Sequence, residues 1–217
     1  APGDAPDATQ GWDSPQLWMG HAALTAPDRH FVAETRARGG IGQAGVTISP
    51  FKAWIDDWSL VGRTGGGDQL DALSVRAGNA KFSYSLKLNA EGPLVAQGER
   101  GYSVKSQSGS ASYYYSQPFY KVTGTVNLPE GPVQVTGQAW LDREWSSQPL
   151  DSDQQGWDWI SLHLDSGAKI MGFQLRSTTG EPFTSATWIN PDGHPEPLAS
   201  DAISMVPLNT TQVSNRT

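Results

Sequence analysis

The stretch Val133–Arg176 reads VQVTGQAWLDREWSSQPLDSDQQGWDWISLHLDSGAKIMGFQLR, and it decides the fold class. Its apolar residues recur with a period of two, as in β-strands whose side chains alternate between two faces. In the first segment this alternation places Trp140, Asp142 and Glu144 on one face. The tight-turn signal DSGA at 165–168 precedes the last segment. The stretch therefore predicts an antiparallel β-meander with aromatic and ionisable groups on shared faces.

The rest of the chain shows the same short, alternating segments separated by Gly- and Pro-containing turns. We expect further strands at 16–24, 30–36, 51–61 (with a turn), 70–77, 81–89, 94–97, 112–116, 119–126, 184–189 and 197–206, and loops at 1–14, 39–45, 98–111 and 208–217. No segment predicts a helix of two turns or more. The predicted fold class is all-β, a barrel or a sandwich.

Composition excludes several classes of function. The net charge is -7 and no basic stripe is present, which argues against nucleic acid or an anionic membrane surface as a partner. The absence of cysteine excludes disulfides, thiol catalysis and cysteine–metal sites. The 4 histidines lack the spacing of metal ligands, so we predict no metal site and no cofactor. No apolar run of about 18 residues predicts a membrane span, and the chain shows no signal peptide.

Asp142 and Glu144 are candidate catalytic residues. Strand geometry places their Cβ atoms roughly 6.5–7 Å apart on one face. Two carboxyl groups at that distance favour protonation of one of them, and a protonated carboxyl group can act as a general acid. The alternative is that Asp142, Arg143 and Glu144 form an ion-pair ladder at the end of a sheet. Both interpretations are open at this point.

The aromatic residues and histidines allow two interpretations each. With 9 tryptophans in 217 residues, the interior of a barrel could be an apolar ligand cavity or a packed aromatic core. His21 and His163 could contact a ligand or be hydrogen-bonded sheet residues. No Gly-x-Ser-x-Gly motif occurs, so a serine hydrolase is not supported.

Four blocks of the sequence resemble a known family. They are MGHAAL (19–24), ASYYYS (111–116), GQAWLDREWSS (137–147) and GWDWISLHLDSGAKIMGFQLR (156–176). They are similar to the lipocalin-like proteins grouped as AttH-like or carotenoid 1,2-hydratase-like, often labelled predicted secreted hydrolases.

The resemblance implies two consecutive lipocalin-like antiparallel β-barrels. On this basis residues 1–132 are the later part of the first barrel and residues 133–217 the early part of the second. The chain then resembles a central fragment of the family's architecture. We therefore expect further polypeptide segments of the same protein to complete the barrels, because an open barrel exposes strand edges. The resemblance also implies a periplasmic or secreted location.

For function, the resemblance implies the binding of an apolar isoprenoid or fatty-acyl molecule and, in the hydratase branch, addition of water across a C=C bond. Asp142 is then the general acid, and Glu144 tunes it or positions water. Arg143 and Glu144 stand where the hydratases have His and Asn. The implied ligand-binding residues are Trp140, Trp145, Trp157, Trp159, His163, His21 and Tyr114. The alternative is a non-catalytic carrier or envelope binding protein for a hydrophobic ligand, and a hydrolase has the least residue support.

Overall fold

A computed structural model describes residues 11–63, 68–147, 150–199 and 202–209 of the chain. Apart from a three-residue 3-10 turn at Gly11–Asp13, its regular structure is antiparallel β-sheet. The strands are β1 Leu17–Ala26, β2 Arg29–Arg38, β3 Ala44–Thr47, β4 Lys52–Ile55, β5 Trp58–Gly62, β6 Ala72–Gly78, β7 Ser83–Ala90, β8 Val95–Ala96, β9 Tyr102–Val104, β10 Ala111–Leu128, β11 Gly131–Trp145, β12 Gln154–His163, β13 Lys169–Ser177, β14 Phe183–Ile189 and β15 Pro195–Leu198. The predicted all-β class is confirmed. In this part of the chain no helix is long and apolar enough to cross a membrane.

The chain divides into two compact units. Unit 1 comprises Ala1–Pro93 and Phe119–Trp140, and unit 2 comprises Leu94–Pro118 and Leu141–Thr217. Strands β10 and β11 contribute residues to both units. The division into parts of two barrels at residues 132 and 133 stays a prediction.

Unit 1 contains the β1–β2 hairpin and strands that follow one another in the order β3, β4, β5, β6, β7 and β10. Its core forms because alternate residues of these strands are apolar. Phe82 is 1% exposed and packs with Ala22 and Ala33, and the ring of Phe31 stacks on it at 5.8 Å between centroids. The segment 51–61, predicted as a strand with a turn, forms β4 and β5, and Asp56 in the turn between them has a φ of 50°.

Unit 2 contains the four-stranded sheet β12-β13-β14-β15, and β8 and β9 pair with the first half of β10. Only the β12–β13 part of the predicted meander is found, because these two strands pair antiparallel around the DSGA turn, where Gly167 adopts a φ of 84°. The first segment of the predicted meander, β11, lies beside β10 in the nine-stranded sheet instead, so that part of the prediction was wrong. Alternate residues of β13, namely Met171, Phe173 and Leu175, are buried. These side chains form one apolar face.

Four predictions about strands and loops were wrong in detail. The loop predicted at 39–45 runs into a strand that was not predicted, β3 at Ala44–Thr47, which pairs with β4. The strand predicted at 197–206 is β15 at Pro195–Leu198 instead, and the described residues 202–209 contain no strand. The segments 112–116 and 119–126 form one continuous strand, β10, because β7, β8 and β9 pair along it. The loop predicted at 98–111 contains β9. Of the predicted terminal loops, residues 1–10 and 210–217 lie outside the described residues.

Candidate functional site

A cleft of about 280 Å³ lies in unit 2. Its apolar walls come from β10 to β13 and the segment after β11, and its polar atoms come from the same elements and from the loop between β9 and β10. The apolar lining comprises Ala111, Tyr114, Trp145, Leu150, Trp157, Trp159, Phe173 and Leu175, and the polar lining comprises Lys105, Ser110, Ser112, Glu144, Ser146 and Gln154. The cleft therefore combines aromatic surface with one acid–base pair.

Strand pairing explains why the aromatic residues converge. Trp159 lies opposite Phe173 and Trp157 lies opposite Leu175 in the antiparallel register of β12 and β13, so all four side chains occupy one face of the sheet. Phe173 is buried, whereas Trp157 is 59% and Trp159 43% exposed. Trp145, from β11, is 53% exposed. These three indole rings are accessible surface of the cleft and are not packed core.

Lys105 and Glu144 form an ion pair at the cleft wall. The Lys105 Nζ atom lies 2.7 Å from Glu144 Oε1, and the Ser112 hydroxyl donates to the same oxygen at 2.6 Å. The ammonium group also lies 3.9 Å from the centroid of the Phe173 ring and 4.9 Å from that of Tyr114. Burial lowers the pKa of Lys105, and the hydrogen bond and charge of Glu144 partly oppose that effect. The partly desolvated ammonium group of Lys105 therefore lies beside aromatic rings of the cleft and is paired there with the Glu144 carboxylate.

Asp142 is held by a buried chain of hydrogen bonds beside the cleft. The Ser116 hydroxyl donates to Asp142 Oδ1 at 2.5 Å, and Gln97 Nε2 donates to Ser116 Oγ at 2.8 Å. Ser116 and Gln97 are both 0% exposed. Ser112, Tyr114 and Ser116 alternate along β10, so they share a face.

Tyr114 links this chain to the cleft. Its side chain lines the cleft, and Trp159 Nε1 donates to its hydroxyl oxygen at 3.2 Å. The pKa of Tyr114 is raised strongly, chiefly by burial and then by the negative charge of Asp142, with which it also hydrogen-bonds. The phenol therefore stays protonated near neutral pH and is available as a hydrogen-bond donor.

The structure brings together five of the nine residues predicted from sequence: Tyr114, Glu144, Trp145, Trp157 and Trp159 line the cleft. Asp142 lies directly beside Tyr114 but is not one of the described lining residues.

His163, His21 and Trp140 also lie outside the described lining of the cleft. His163 Nε2 is 2.9 Å from the Pro118 carbonyl oxygen, and His21 Nε2 is 3.4 Å from Glu34 Oε1 on the neighbouring strand in unit 1. These are the contacts of hydrogen-bonded sheet histidines. Trp140 belongs to unit 1, and a ligand-binding role for these three residues stays a prediction.

Four residues in the cleft or beside it were not predicted from the sequence: Lys105, Gln97, Ser116 and Phe173. Ser116 could have been found, because period two in ASYYYS places it on the face of Tyr114. Phe173 alternates with buried residues on β13 and carried the signal of a core residue. Lys105 lies in a predicted loop, and nothing in the local sequence connects it to Glu144. Among the described residues no group of three or more His, Cys, Asp or Glu side chains could hold a metal ion.

Comparison with known proteins decides the family. The sequence model of AttH-like proteins matches residues 1–217. The chain belongs to the AttH-like family. No curated protein matches it.

Two solved structures are similar to this AttH-like chain. One is an AttH protein from Nitrosomonas europaea, with 34% sequence identity and a TM-score of 0.82 over 95% of this chain and 64% of that chain. The other is kievitone hydratase from Nectria haematococca, with 14% identity and a TM-score of 0.62 over 83% of this chain and 54% of that chain. The AttH-like chain thus spans about two thirds or less of the length of each. At 14% identity the second likeness shows the fold alone, and it confirms the lipocalin-like β-fold predicted from sequence.

Proposed function

We propose that this AttH-like chain binds an apolar molecule in the cleft of unit 2 and adds water across one of its C=C bonds. The observation that carries the proposal is the contact between Tyr114, which lines an aromatic cleft, and Asp142, which is held in place behind it. The fold shared with a hydratase supports the reaction class.

The ligand surface consists of aromatic rings. A volume of about 280 Å³ lies close to the lower end of the range for ligand pockets, roughly 300–1,000 Å³. The exposed faces of Trp145, Trp157 and Trp159 would be covered by a branched or linear hydrocarbon, which removes apolar area from water. An isoprenoid or fatty-acyl chain fits this surface.

In the proposed reaction, the carboxyl group of Asp142 supplies the proton through the Tyr114 hydroxyl. Tyr114 donates its proton to one alkene carbon, and the π electrons of the C=C bond form the new C–H bond. At the same time Tyr114 takes the proton of Asp142, which becomes a carboxylate. A water molecule attacks the cationic carbon, and its surplus proton returns through Tyr114 to Asp142, so the acid is regenerated.

The walls of the cleft suit the cation formed in this step. The ring faces of Trp157 and Trp159 present the negative side of the aromatic quadrupole to a positive carbon. The positive charge of Lys105 would oppose the cation, but Glu144 is paired with it at 2.7 Å. The Glu144 carboxylate, at the cleft wall, would also accept a hydrogen bond from the attacking water.

A native mass spectrum of the purified protein, made without organic solvent, tests the binding step. We expect an added mass that partitions into hexane. Incubation with hydratable terpenoids should then give products heavier by one water. In Asp142→Asn and in Tyr114→Phe we expect turnover to fall by about 10²–10⁴-fold, the contribution of a positioned general acid, while the added mass stays.

Asp165→Asn is the matched control, because Asp165 lies in the exposed turn between β12 and β13. Its turnover should equal that of the unaltered chain. Unchanged turnover in Asp142→Asn would show that this carboxyl group is not the acid.

A non-catalytic carrier is the second candidate, favoured by the three half-exposed tryptophans, which supply a ligand surface without any acid. A hexane-extractable ligand without hydration of any terpenoid would identify the carrier.

Two further parts of the proposal concern the whole protein. Additional polypeptide completing the barrels would appear in the mass of the protein isolated from its source cells. Export to the periplasm or the medium would appear when those cells are fractionated.

A further inference from the structure

Gln97 is a buried polar residue that the proposed reaction does not use. Its backbone is fixed, because its amide nitrogen donates to the Tyr114 carbonyl at 3.0 Å and its carbonyl accepts from Gly101 at 2.9 Å. Its side-chain Nε2 donates to Ser116 Oγ at 2.8 Å. Its Oε1 atom is buried and has no hydrogen-bond partner among the described residues.

An unpartnered buried carbonyl oxygen is unfavourable and calls for an explanation. A methionine of similar length would fill the same space without a buried acceptor. The polar contact that glutamine adds at this position is the bond from Nε2 to Ser116. The effect that Gln97 has on its surroundings therefore depends on its hydrogen bond to Ser116.

The bond decides where the hydroxyl proton of Ser116 points. A serine hydroxyl has one proton and can rotate to suit its neighbours. Because the N–H of Gln97 points at Ser116 Oγ, the hydroxyl proton cannot point back at Gln97. It points instead at Asp142 Oδ1, which lies at 2.5 Å. That oxygen is thereby fixed as an acceptor.

We infer that Gln97 and Ser116 are positioning residues that keep the acid proton of Asp142 off Oδ1 and confine it to the second carboxyl oxygen. A proton on Oδ1 would face the proton of Ser116, and two donors would then point at each other. The inference rests on the proposed function, in which Asp142 must hold a proton that it can pass to Tyr114.

The same chain stabilises the product of proton transfer. When Asp142 becomes a carboxylate, the bond from Ser116 becomes charge-assisted and strengthens, without any group having to move. Among the described residues, the charged or titratable groups that interact with Asp142 include Lys105 and Tyr114, and Lys105 is itself paired with Glu144.

Proton NMR tests the inference without any substrate. The hydroxyl proton of Ser116, buried in a short hydrogen bond, should give a downfield resonance that exchanges slowly with solvent and is absent in Ser116→Ala. In Gln97→Met the hydroxyl is free to rotate, so the resonance should move upfield and exchange faster. A resonance that Gln97→Met leaves in place would overturn the inference, and so would the absence of any protected hydroxyl proton in the unaltered chain.

Kinetics provide a second readout. Gln97→Met and Ser116→Ala should each lower kcat by about tenfold, as expected for one hydrogen bond, with KM unchanged. The kcat of the double variant should equal that of Ser116→Ala alone, because Gln97 acts on Asp142 only through its hydrogen bond to Ser116. Ser116→Thr, which keeps the hydroxyl, should restore much of the rate.

Gln117→Met is the matched control. Gln117 is equally buried and adjacent in sequence, but it points to the opposite face of β10. Its loss should leave kcat unchanged, whereas an equal loss of kcat in Gln117→Met would overturn the inference. An additive double variant of Gln97 and Ser116 would overturn it too.

The two proposals can fail separately. If the Ser116 resonance responds to Gln97→Met but no substrate is hydrated, the positioning chain stands and the hydratase function fails. If hydration depends on Asp142 but neither the resonance nor kcat responds to Gln97→Met, the function stands and the positioning chain fails.

Discussion

The two units each contain an apolar concavity, and the two concavities differ in chemistry. That of unit 1 is larger, about 490 Å³, and is lined mainly by aliphatic side chains such as Leu24, Val75 and Leu86. That of unit 2 is about 280 Å³ and is lined by aromatic rings with Lys105 and Glu144 among them. The concavity of unit 1 therefore offers mainly apolar surface on which a ligand could be buried. The cleft of unit 2 also has ionisable groups, Lys105 and Glu144, in its wall. Reactive groups, more than volume, locate the candidate site.

A tyrosine in each concavity shows the difference. Tyr84 lines that of unit 1, and burial alone raises its pKa. Tyr114 lines that of unit 2, and its pKa is raised by burial and by the charge of Asp142. Both phenols stay protonated near neutral pH, but only Tyr114 has a carboxyl group described as its hydrogen-bond partner. In the proposed reaction, this carboxyl neighbour is what would make the buried phenol of Tyr114 part of a proton path.

Removing one buried phenylalanine from each unit should have the largest effect. Phe173 and Phe82 are 3% and 1% exposed, so Phe173→Ala and Phe82→Ala should each lower the free energy of unfolding by about 3–5 kcal/mol. Urea denaturation measures this effect. Only Phe173→Ala should also reduce the amount of hexane-extractable ligand bound, because Phe173 lines the cleft and Phe82 does not. An equal loss of ligand in Phe82→Ala would break the distinction between the units.

Shortening one lining residue in each concavity should have the next largest effect. Trp157→Ala should weaken the binding of an apolar probe by about tenfold, since the indole face supplies more than 1 kcal/mol of apolar burial. Leu86→Ala, in the concavity of unit 1, should leave the dissociation constant unchanged. Fluorescence titration of both variants measures this. Weaker binding in Leu86→Ala, with no change in Trp157→Ala, would place the ligand in unit 1.

The ion pair of unit 2 should show a smaller effect that depends on pH. In Glu144→Gln the pKa of Lys105 should fall further below its ordinary value, because burial remains and the opposing negative charge is lost. The folded-state pKa of Lys105 lies below the unfolded value of 10.5. At pH values between these two pKa values, the folded chain therefore binds fewer protons than the unfolded chain. The free energy of unfolding therefore rises with pH through that window, and in Glu144→Gln the window should begin at lower pH.

NMR titration of the Lys105 side chain, with denaturation at several pH values, checks this prediction. Glu91→Gln is the control, because Glu91 pairs with Lys121 in unit 1 and should leave the Lys105 titration unchanged. A Lys105 titration that Glu144→Gln does not move would contradict the described pair.

The smallest effects are expected from one exposed acid in each unit. The hydroxyls of Ser108 and Ser110, at 2.7 and 2.8 Å, lower the pKa of Asp151, and Arg29, at 2.5 Å, lowers that of Glu130. Each depressed pKa contributes stability at neutral pH that is lost as the pH falls below the unfolded value and through the folded one. Asp151→Asn and Glu130→Gln should each lower the melting temperature slightly at pH 7 and have less effect in acid.

Salt distinguishes these two acids. The Arg29–Glu130 ion pair is screened by salt, whereas the bonds from the serines to Asp151 are not ion pairs. The effect of Glu130→Gln should therefore vanish in 1 M salt and that of Asp151→Asn should persist. Calorimetric scans at low and high salt measure both, and the same salt response in the two variants would contradict this assignment.

The sequence predicted the fold well where period and turn chemistry agree. The β12–β13 hairpin and the alternation of Phe82 to Leu88 follow from a period of two and from turn residues, which act locally. The pairing of β11 with β10 instead of β12 was not predicted. The end of β15 and the continuity of β10 were wrong or missed, because both depend on which strands pair with them. Local propensity does not contain that information.

The candidate site was predicted only in part for a similar reason. Trp157 and Trp159 alternate on one face of β12, so their convergence followed from alternation. Glu144 and Trp145 are consecutive residues of β11, which lies in another sheet, and alternation did not predict that both line the same cleft. Lys105 reaches Glu144 across 39 positions of the chain, and Gln97 reaches Ser116 across 19. Contacts of that range between a loop and a strand carry no periodic signal.

The three half-exposed indoles of the cleft also give the molecule an optical reporter. Trp145, Trp157 and Trp159 are partly exposed to solvent and should emit as partly hydrated indoles, and a hydrocarbon lying on them would shift their emission to shorter wavelength. In unit 1, Trp54 and Trp58 donate to the backbone carbonyls of Gly42 and Gly78 and should contribute a constant background. Entry of a ligand and, in the proposed reaction, the exit of a more polar product should therefore be visible in real time by intrinsic fluorescence without any label.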